Sequence, residues 1–304
     1  METIDKKYNN KWQIKLRIED KYKTWLNALL LPIKKKVMAA AKSGDIKKVE
    51  RILKKASQSK TFRYKSHQIA KKMVTMTLED DAKDWREAAR KSAKSPELYN
   101  LLMKEFSDNK SLKDRYDELI ERNSKIISTL PEEIANDVVK HISRRSFEGV
   151  RYEEVAKEIL QFFPHHTKAK ENLIARTESS KCKSALTQAR SEDVGIYWAD
   201  WHSTDDQKTR PSHAIMNGVI CNYKHPPSPE ELAKKAGVYK GKTYGRYFAG
   251  EIFNCRCYME PIVTLEDIRF PAKVYNWKTN NIETMSKQQF LDFAKKHNYP
   301  FKEF

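Results

Sequence analysis

Cysteine is scarce in this chain: four residues in 304, at Cys182, Cys221, Cys255 and Cys257. That is too few for a disulfide scaffold, so in a reducing compartment they are read as packed thiols or metal ligands. Long apolar runs are missing as well. The longest near the start, Trp25 to Ile33, is short and contains Pro32, whereas a membrane helix needs roughly 18 apolar residues. The first residues lack a basic stretch leading into an apolar one and a small-residue cleavage site, so no secretory leader is expected and assembly in a cytoplasm is. There is no internal repeat and no low-complexity tract. What remains is 39% hydrophobic and 33% charged. That composition suits a soluble, helix-rich protein with large solvated faces, and the length suits about two domains.

Charge is unevenly placed. Residues 1–75 hold 21 Lys and Arg against 6 Asp and Glu, a net +15 out of the chain's +18. Residues 76–170 are near neutral at −1, and the remainder carries +4. A basic segment without balancing acids attracts phosphate backbones. The candidate DNA-contacting residues are Lys34, Lys35, Lys36, Lys47, Lys48, Arg51, Lys54 and Lys55. The plainer alternative is a solvated lysine face.

The N-terminal half reads as helices. Ile18, Tyr22, Trp25, Leu26 and Leu29 share a helical face, interrupted at Pro32. Asp45 is an N-cap candidate ahead of Ile46, Val49, Ile52 and Leu53. Ile69, Met73 and Met76 mark a third helix running towards Trp85. Pro96-Glu97 opens another with Leu98, Leu101, Leu102 and Phe106. Pro131 suits the first turn of a further helix, which Gly149 ends. Phe163-Pro164-His165-His166 reads as a break, with Thr167 capping a long helix to about Ala189. On that helix Ala175, Glu178, Cys182, Ala185 and Ala189 share a close-packing face. After Gly195 the pattern changes: Ile196 to Trp201 and Ile252 to Tyr258 read as strands, and Lys287 to Lys295 as a last short helix. The expected fold class is a mainly α N-terminal region followed by a C-terminal α+β module, a long helix plus a small antiparallel sheet.

Three polar groups punctuate that module. The first is Ala175-Arg176-Thr177-Glu178. The second runs from His202 through Asp205, Asp206, Lys208, Thr209, Arg210, Pro211, Ser212 and His213 to Asn217-Gly218. The third is Asn254-Cys255-Arg256-Cys257. Their order and spacing resemble the phage Mu F-like minor head protein family. The matching positions are Arg176, Glu178, Asp206, Arg210, His213, Gly218, Asn254, Cys255, Arg256 and Cys257. Lys208 stands where the family usually has arginine, Asn217 where it has aspartate and Arg151 where a capping serine is common. The resemblance divides the chain into a basic helical region, 1–120, the Mu F-like domain, 121–264, and a tail with a short helix, 265–304. It implies a low-copy, non-enzymatic virion component in the capsid near the portal. The implied partners are the portal protein, scaffold or major capsid protein, and DNA, with a role in DNA delivery.

Other chemistries compete for the same residues. His213, Cys255 and Cys257 supply three zinc ligands where a structural site wants four, so no cofactor is expected, with zinc as the metal reading. His202, Asp205, Asp206, Arg210 and His213 are the residue types of a nuclease, the runner-up function. Cys255 or Cys257 with His213 would form a nucleophilic dyad, and a close Cys255/Cys257 pair a strained disulfide. A cellular DNA-binding module is the third class. The 40 residues after Thr264 are too few for a separate toxin domain. Arg176 and Glu178 lie too far round a helix to pair with each other, so Glu178 is expected to meet Arg210 or Arg256.

Overall fold

The computed structural model describes residues 10–91, 96–102 and 109–302. Phe106 and the first nine residues of the basic segment lie outside the described residues. The elements run α1 (Leu16–Lys42), α2 (Ile46–Ser57), α3 (Lys60–Lys91), α4 (Pro96–Leu102), α5 (Lys110–Phe147) and α6 (Tyr152–Asp193). They continue with β1 (Trp198–His202), α7 (Pro211–Ala214), β2 (Val219–Asn222), α8 (Pro229–Lys235), β3 (Tyr258–Pro261), β4 (Ala272–Asn276), β5 (Asn281–Met285) and α9 (Lys287–Lys296). No helix among the described residues is long and apolar enough to cross a membrane. The chain divides into two compact units.

One unit comprises residues 17–76 and 117–179 and is wholly helical in its regular elements. Its core gathers Leu30, Val37, Val49, Leu53, Leu130, Ile134, Val138, Ile159 and Phe163. Asp45 caps α2 as expected, its side chain accepting from the Lys48 amide. The breaks expected at Pro32 and Pro164 and the helix start expected at Pro131 are absent: all three prolines lie inside continuous helices. Proline removes one helical N–H and crowds the preceding turn. Here each proline is flanked by residues of the core, Leu30 before Pro32, Leu130 and Ile134 about Pro131, and Phe163 before Pro164. Burial of those neighbours holds the helix through the local defect. Thr167 is no cap; its hydroxyl donates to the Phe163 carbonyl one turn back.

The other unit comprises residues 1–16, 77–116 and 180–304. Its sheet has the order β3-β1-β2-β4-β5. All pairs are antiparallel except β2 with β4, which run parallel, so the sheet is mixed where a purely antiparallel one was expected. Residues 265–304, expected as a tail with one helix, also supply β4 and β5. The strand expected over Ile252 to Tyr258 is displaced: residues 252–257 are loop, and β3 begins at Tyr258. Side chains alternate across a strand, which gives the sheet two buried faces. Ala199, Trp201, Val219, Cys221, Met259 and Tyr275 enter one cluster. Trp198, Ile220, Ala272 and Val274 enter another, with Phe290 and Ala294 of α9. The α9 N-terminus carries a capping box, Ser286 with Gln289.

Candidate functional site

The site is built on the first of those faces. Arg210 takes an extended conformation at the α7 N-cap and Pro211 occupies the first turn, where its fixed φ and missing N–H cost nothing. This short turn points Ser212 and His213 inward, 0% and 2% exposed. Asn254 adopts a left-handed conformation at φ 53°, which asparagine tolerates better than most residues. The following residues alternate, with Cys255 and Cys257 buried and Arg256 between them partly exposed.

His213 bridges two sets of partners. Its Nδ1 lies 3.6 Å from Cys255 Sγ and 3.4 Å from Cys257 Sγ. Its Nε2 lies 3.0 Å from the Tyr247 hydroxyl, which is hydrogen-bonded to Glu230 Oε1 on α8. Ser212 Oγ also donates to that oxygen, at 3.2 Å. The Trp201 ring meets the imidazole edge-on, 5.5 Å between centroids. Burial, and then the Glu230 carboxylate, push the Tyr247 hydroxyl far up, so it stays protonated. The hydrogen bond with Cys257 pulls the Cys255 thiol down, with help from His213 and the Gly250 amide. Cys257 is pushed up by Cys255 and by burial. All four cysteines are free thiols, and Cys182 is packed as expected, at 0% exposure.

Around this centre the loops lock one another. Arg256 grips Asp206, Nη2 to Oδ1 at 2.7 Å and Nη1 to Oδ2 at 2.5 Å. Asp206 Oδ1 also accepts from the Lys208 amide. The Arg256 hydrogen bond holds the Asp206 carboxyl below the usual range. Gln13 donates to the Arg256 carbonyl at 2.8 Å. Arg210 donates to the Phe253 carbonyl and lies over the Phe253 ring. Gly218, at φ 72°, donates its amide to the Trp201 carbonyl, while Asn217 accepts from the Ser203 amide. Gly250 is required where it stands. Its φ is 87°, and a Cβ there would lie 3.2 Å from Ser180 Oγ.

The Arg176 and Glu178 motif sits in the helical unit. Arg176 pairs with Glu19 at 3.4 Å. Within the same unit Glu178 pairs with Arg122 at 3.1 Å. The nuclease residue types also part company. His202 turns to Asp200 and Glu260, at 3.2 and 3.3 Å. Asp206 belongs to Arg256, His213 to the sulfurs and Tyr247, and Asp205 is exposed. Of the basic candidates, Lys35, Lys36, Lys47, Lys48, Arg51, Lys54 and Lys55 are exposed. Lys34 is half-buried and ion-paired with Glu171 at 2.5 Å.

Sequence reasoning missed Tyr247 and Glu230, which carry no motif of their own. It also missed a buried charge cluster in which Lys183 lies 3.2 Å from Asp81 and 2.5 Å from Asp84, and Arg190 lies 2.8 Å from Asp81. A polar residue recurring on an otherwise packed helix face was the available signal.

Comparison with known proteins places this geometry in a family context. Residues 132–260 match the family described as Phage Mu protein F like protein. An uncharacterized protein of Haemophilus influenzae is 28% identical over 153 residues, covering 50% of this chain and 30% of that protein. The NAD(+)--arginine ADP-ribosyltransferase EFV of Enterococcus faecalis is 33% identical over 144 residues, covering 45% of this chain and 27% of that protein. The chain thus spans under a third of the length of either relative. No solved structure matches. Residues 132–260 are therefore a phage Mu F-like domain.

Proposed function

We propose that this Mu F-like chain is a minor head morphogenesis protein of a phage. It acts as a structural component near the portal, contacts DNA through its basic α1–α2 surface and has a role in DNA delivery. Its partners are the portal protein, scaffold or major capsid protein, and the packaged DNA. The single observation that carries the reading is the family match over residues 132–260. The motif residues support a structural role, because each is engaged inside the protein: Arg256 with Asp206, Arg210 with the Phe253 carbonyl, and His213 with Tyr247 and the two sulfurs. A nuclease needs a base, carboxylates and a charge stabiliser converging on one phosphate, and residues 202–213 distribute those groups among separate partners. The transferase activity in one relative's name is not carried over, since the shared segment is 27% of that protein.

DNA contact has a second support. The seven exposed basic residues of α1 and α2 form a surface whose counterion release on binding would be large. The test of the whole reading is a phage or prophage lacking this chain. The expected outcome is that the chain is found in purified wild-type virions and that its deletion lowers the yield of DNA-filled heads. A chain absent from virions, with normal heads in the deletion, would overturn it.

A further inference from the structure

We propose that His213, Cys255 and Cys257 bind a zinc ion that staples the loop before β3 to the short helix α7. This goes beyond the head-protein reading and stands independently of it. The ligand atoms of these three buried side chains, one histidine and two cysteines, all lie within 4.8 Å of one another. Zinc–sulfur and zinc–nitrogen bonds of about 2.3 and 2.0–2.1 Å, meeting at a tetrahedral angle, place sulfur and nitrogen about 3.6 Å apart. The two sulfur to Nδ1 distances are 3.6 and 3.4 Å. Both sulfur–nitrogen separations therefore match the edge of a tetrahedral zinc site.

The imidazole is set up as a ligand through its other nitrogen. Tyr247 has one proton and faces a carboxylate, which accepts it. The Tyr247 oxygen is then left to accept the His213 Nε2–H, and Nδ1 keeps its lone pair facing the sulfurs. A carboxylate-anchored relay behind a histidine fixes the tautomer and raises ligand basicity at metal centres. A single cation receives electron pairs from all three atoms.

The sulfurs are prepared in the same way. The Gly250 amide points at Cys255 Sγ at 3.4 Å, and the Thr204 backbone hydrogen-bonds to Cys257. Such donors suit thiolates. Two thiolates and a neutral imidazole cancel the charge of Zn²⁺, so the centre is neutral where it is enclosed by Trp201, Met216, Phe248 and Met259. A neutral complex avoids the cost of burying a net charge. Loading releases the two thiol protons to solvent, and no electron transfer is involved. Three protein donors leave one tetrahedral position for water.

The experiment uses the full chain, expressed in zinc-supplemented medium without a histidine tag and dialysed before elemental analysis. One equivalent of zinc is expected. Exchange into cobalt should produce thiolate-to-cobalt charge-transfer absorption and the intense visible bands of a four-coordinate ion. Both signals should be lost in His213→Ala and in the Cys255→Ser/Cys257→Ser double variant, and kept in Cys182→Ala. If the variants precipitate, the wild-type cobalt spectrum still decides. Metal-free protein with no cobalt–thiolate band overturns the assignment, as does undiminished binding in folded His213→Ala.

Discussion

Arg256 holds Asp206 with both guanidinium nitrogens, at 2.7 and 2.5 Å, and so ties the loop before β3 to the loop after β1. The bond is a planar fork across 50 residues of sequence, a geometry that lysine cannot copy. Arg256→Lys is therefore expected to lower stability by about 1.5–3 kcal/mol, the range for a hydrogen bond to a charged group. A double-mutant cycle with Asp206→Asn, read by denaturant unfolding, should show most of that loss as coupling. Additive losses would mean that the fork contributes nothing beyond its two ends.

The same pair sets an acid dependence. Asp206 has a folded pKa below its unfolded value, chiefly through Arg256. Its stabilisation is present above the unfolded carboxylate pKa and disappears as pH falls through the folded one. Wild type should lose more stability than Asp206→Asn between neutral and strongly acid pH. Parallel curves for the two proteins would count against the linkage.

His202 works in the opposite direction. Burial opposes its charged form, but the Asp200 hydrogen bond and the charges of Asp200 and Glu260 outweigh that and raise its pKa. Its stabilisation is complete below about pH 6.5, the unfolded value, and is lost as pH rises through the folded pKa. NMR titration of the ring should show a midpoint above that of a free histidine. Asp200→Asn should bring the midpoint down.

Lys183 is buried against Asp81 and Asp84. Lys183→Met sets an apolar side chain against the buried Asp84 carboxylate and leaves Asp81 to Arg190 and Thr187. The expected cost is about 3–5 kcal/mol, as for breaking one side of a buried ion pair. Thermal unfolding of the purified variant checks this. A change within experimental error would mean that water or Arg190 takes over the carboxylates.

Gly250→Ala should also destabilise, by about 1–3 kcal/mol for a strained left-handed residue, since the new Cβ meets Ser180 as well. Its effect on the unfolding midpoint should exceed that of Gly237→Ala, where a Cβ meets nothing within 4 Å. Equal effects at the two glycines would leave only the backbone term.

For DNA, the surface residues and Lys34 separate cleanly. Replacing Lys47, Lys48, Arg51, Lys54 and Lys55 by Ala should flatten the dependence of log affinity on log salt, by about 0.9 for each phosphate contact removed. Lys34→Ala should cost stability through Glu171 and leave the salt slope alone. Filter binding at several salt concentrations measures both. An unchanged slope in the fivefold variant would remove α2 from the interface. The same preparations incubated with plasmid and Mg²⁺ or Mn²⁺ should leave it uncut.

The helical content, the Asp45 cap, the packed Cys182 and the last helix were all legible in the linear pattern. Helical periodicity and capping are local properties, written within a few residues of one another. The family motifs were legible too, as residue types in order. The partners of those residues were not. Arg256 meets Asp206 and Arg176 meets Glu19, because ion pairing depends on which elements the core brings together, and spacing along the chain does not encode that. The prolines inside α1, α5 and α6 make the same point: a local signal for a break or a helix start lost to burial of the apolar neighbours. Composition and order thus determined the class of element and the list of polar residues. Only the tertiary fold decided that Tyr247 and Glu230 stand behind His213 and that both sulfurs stand in front of it, because those contacts join segments 17 to 44 residues apart through the packing of one sheet face.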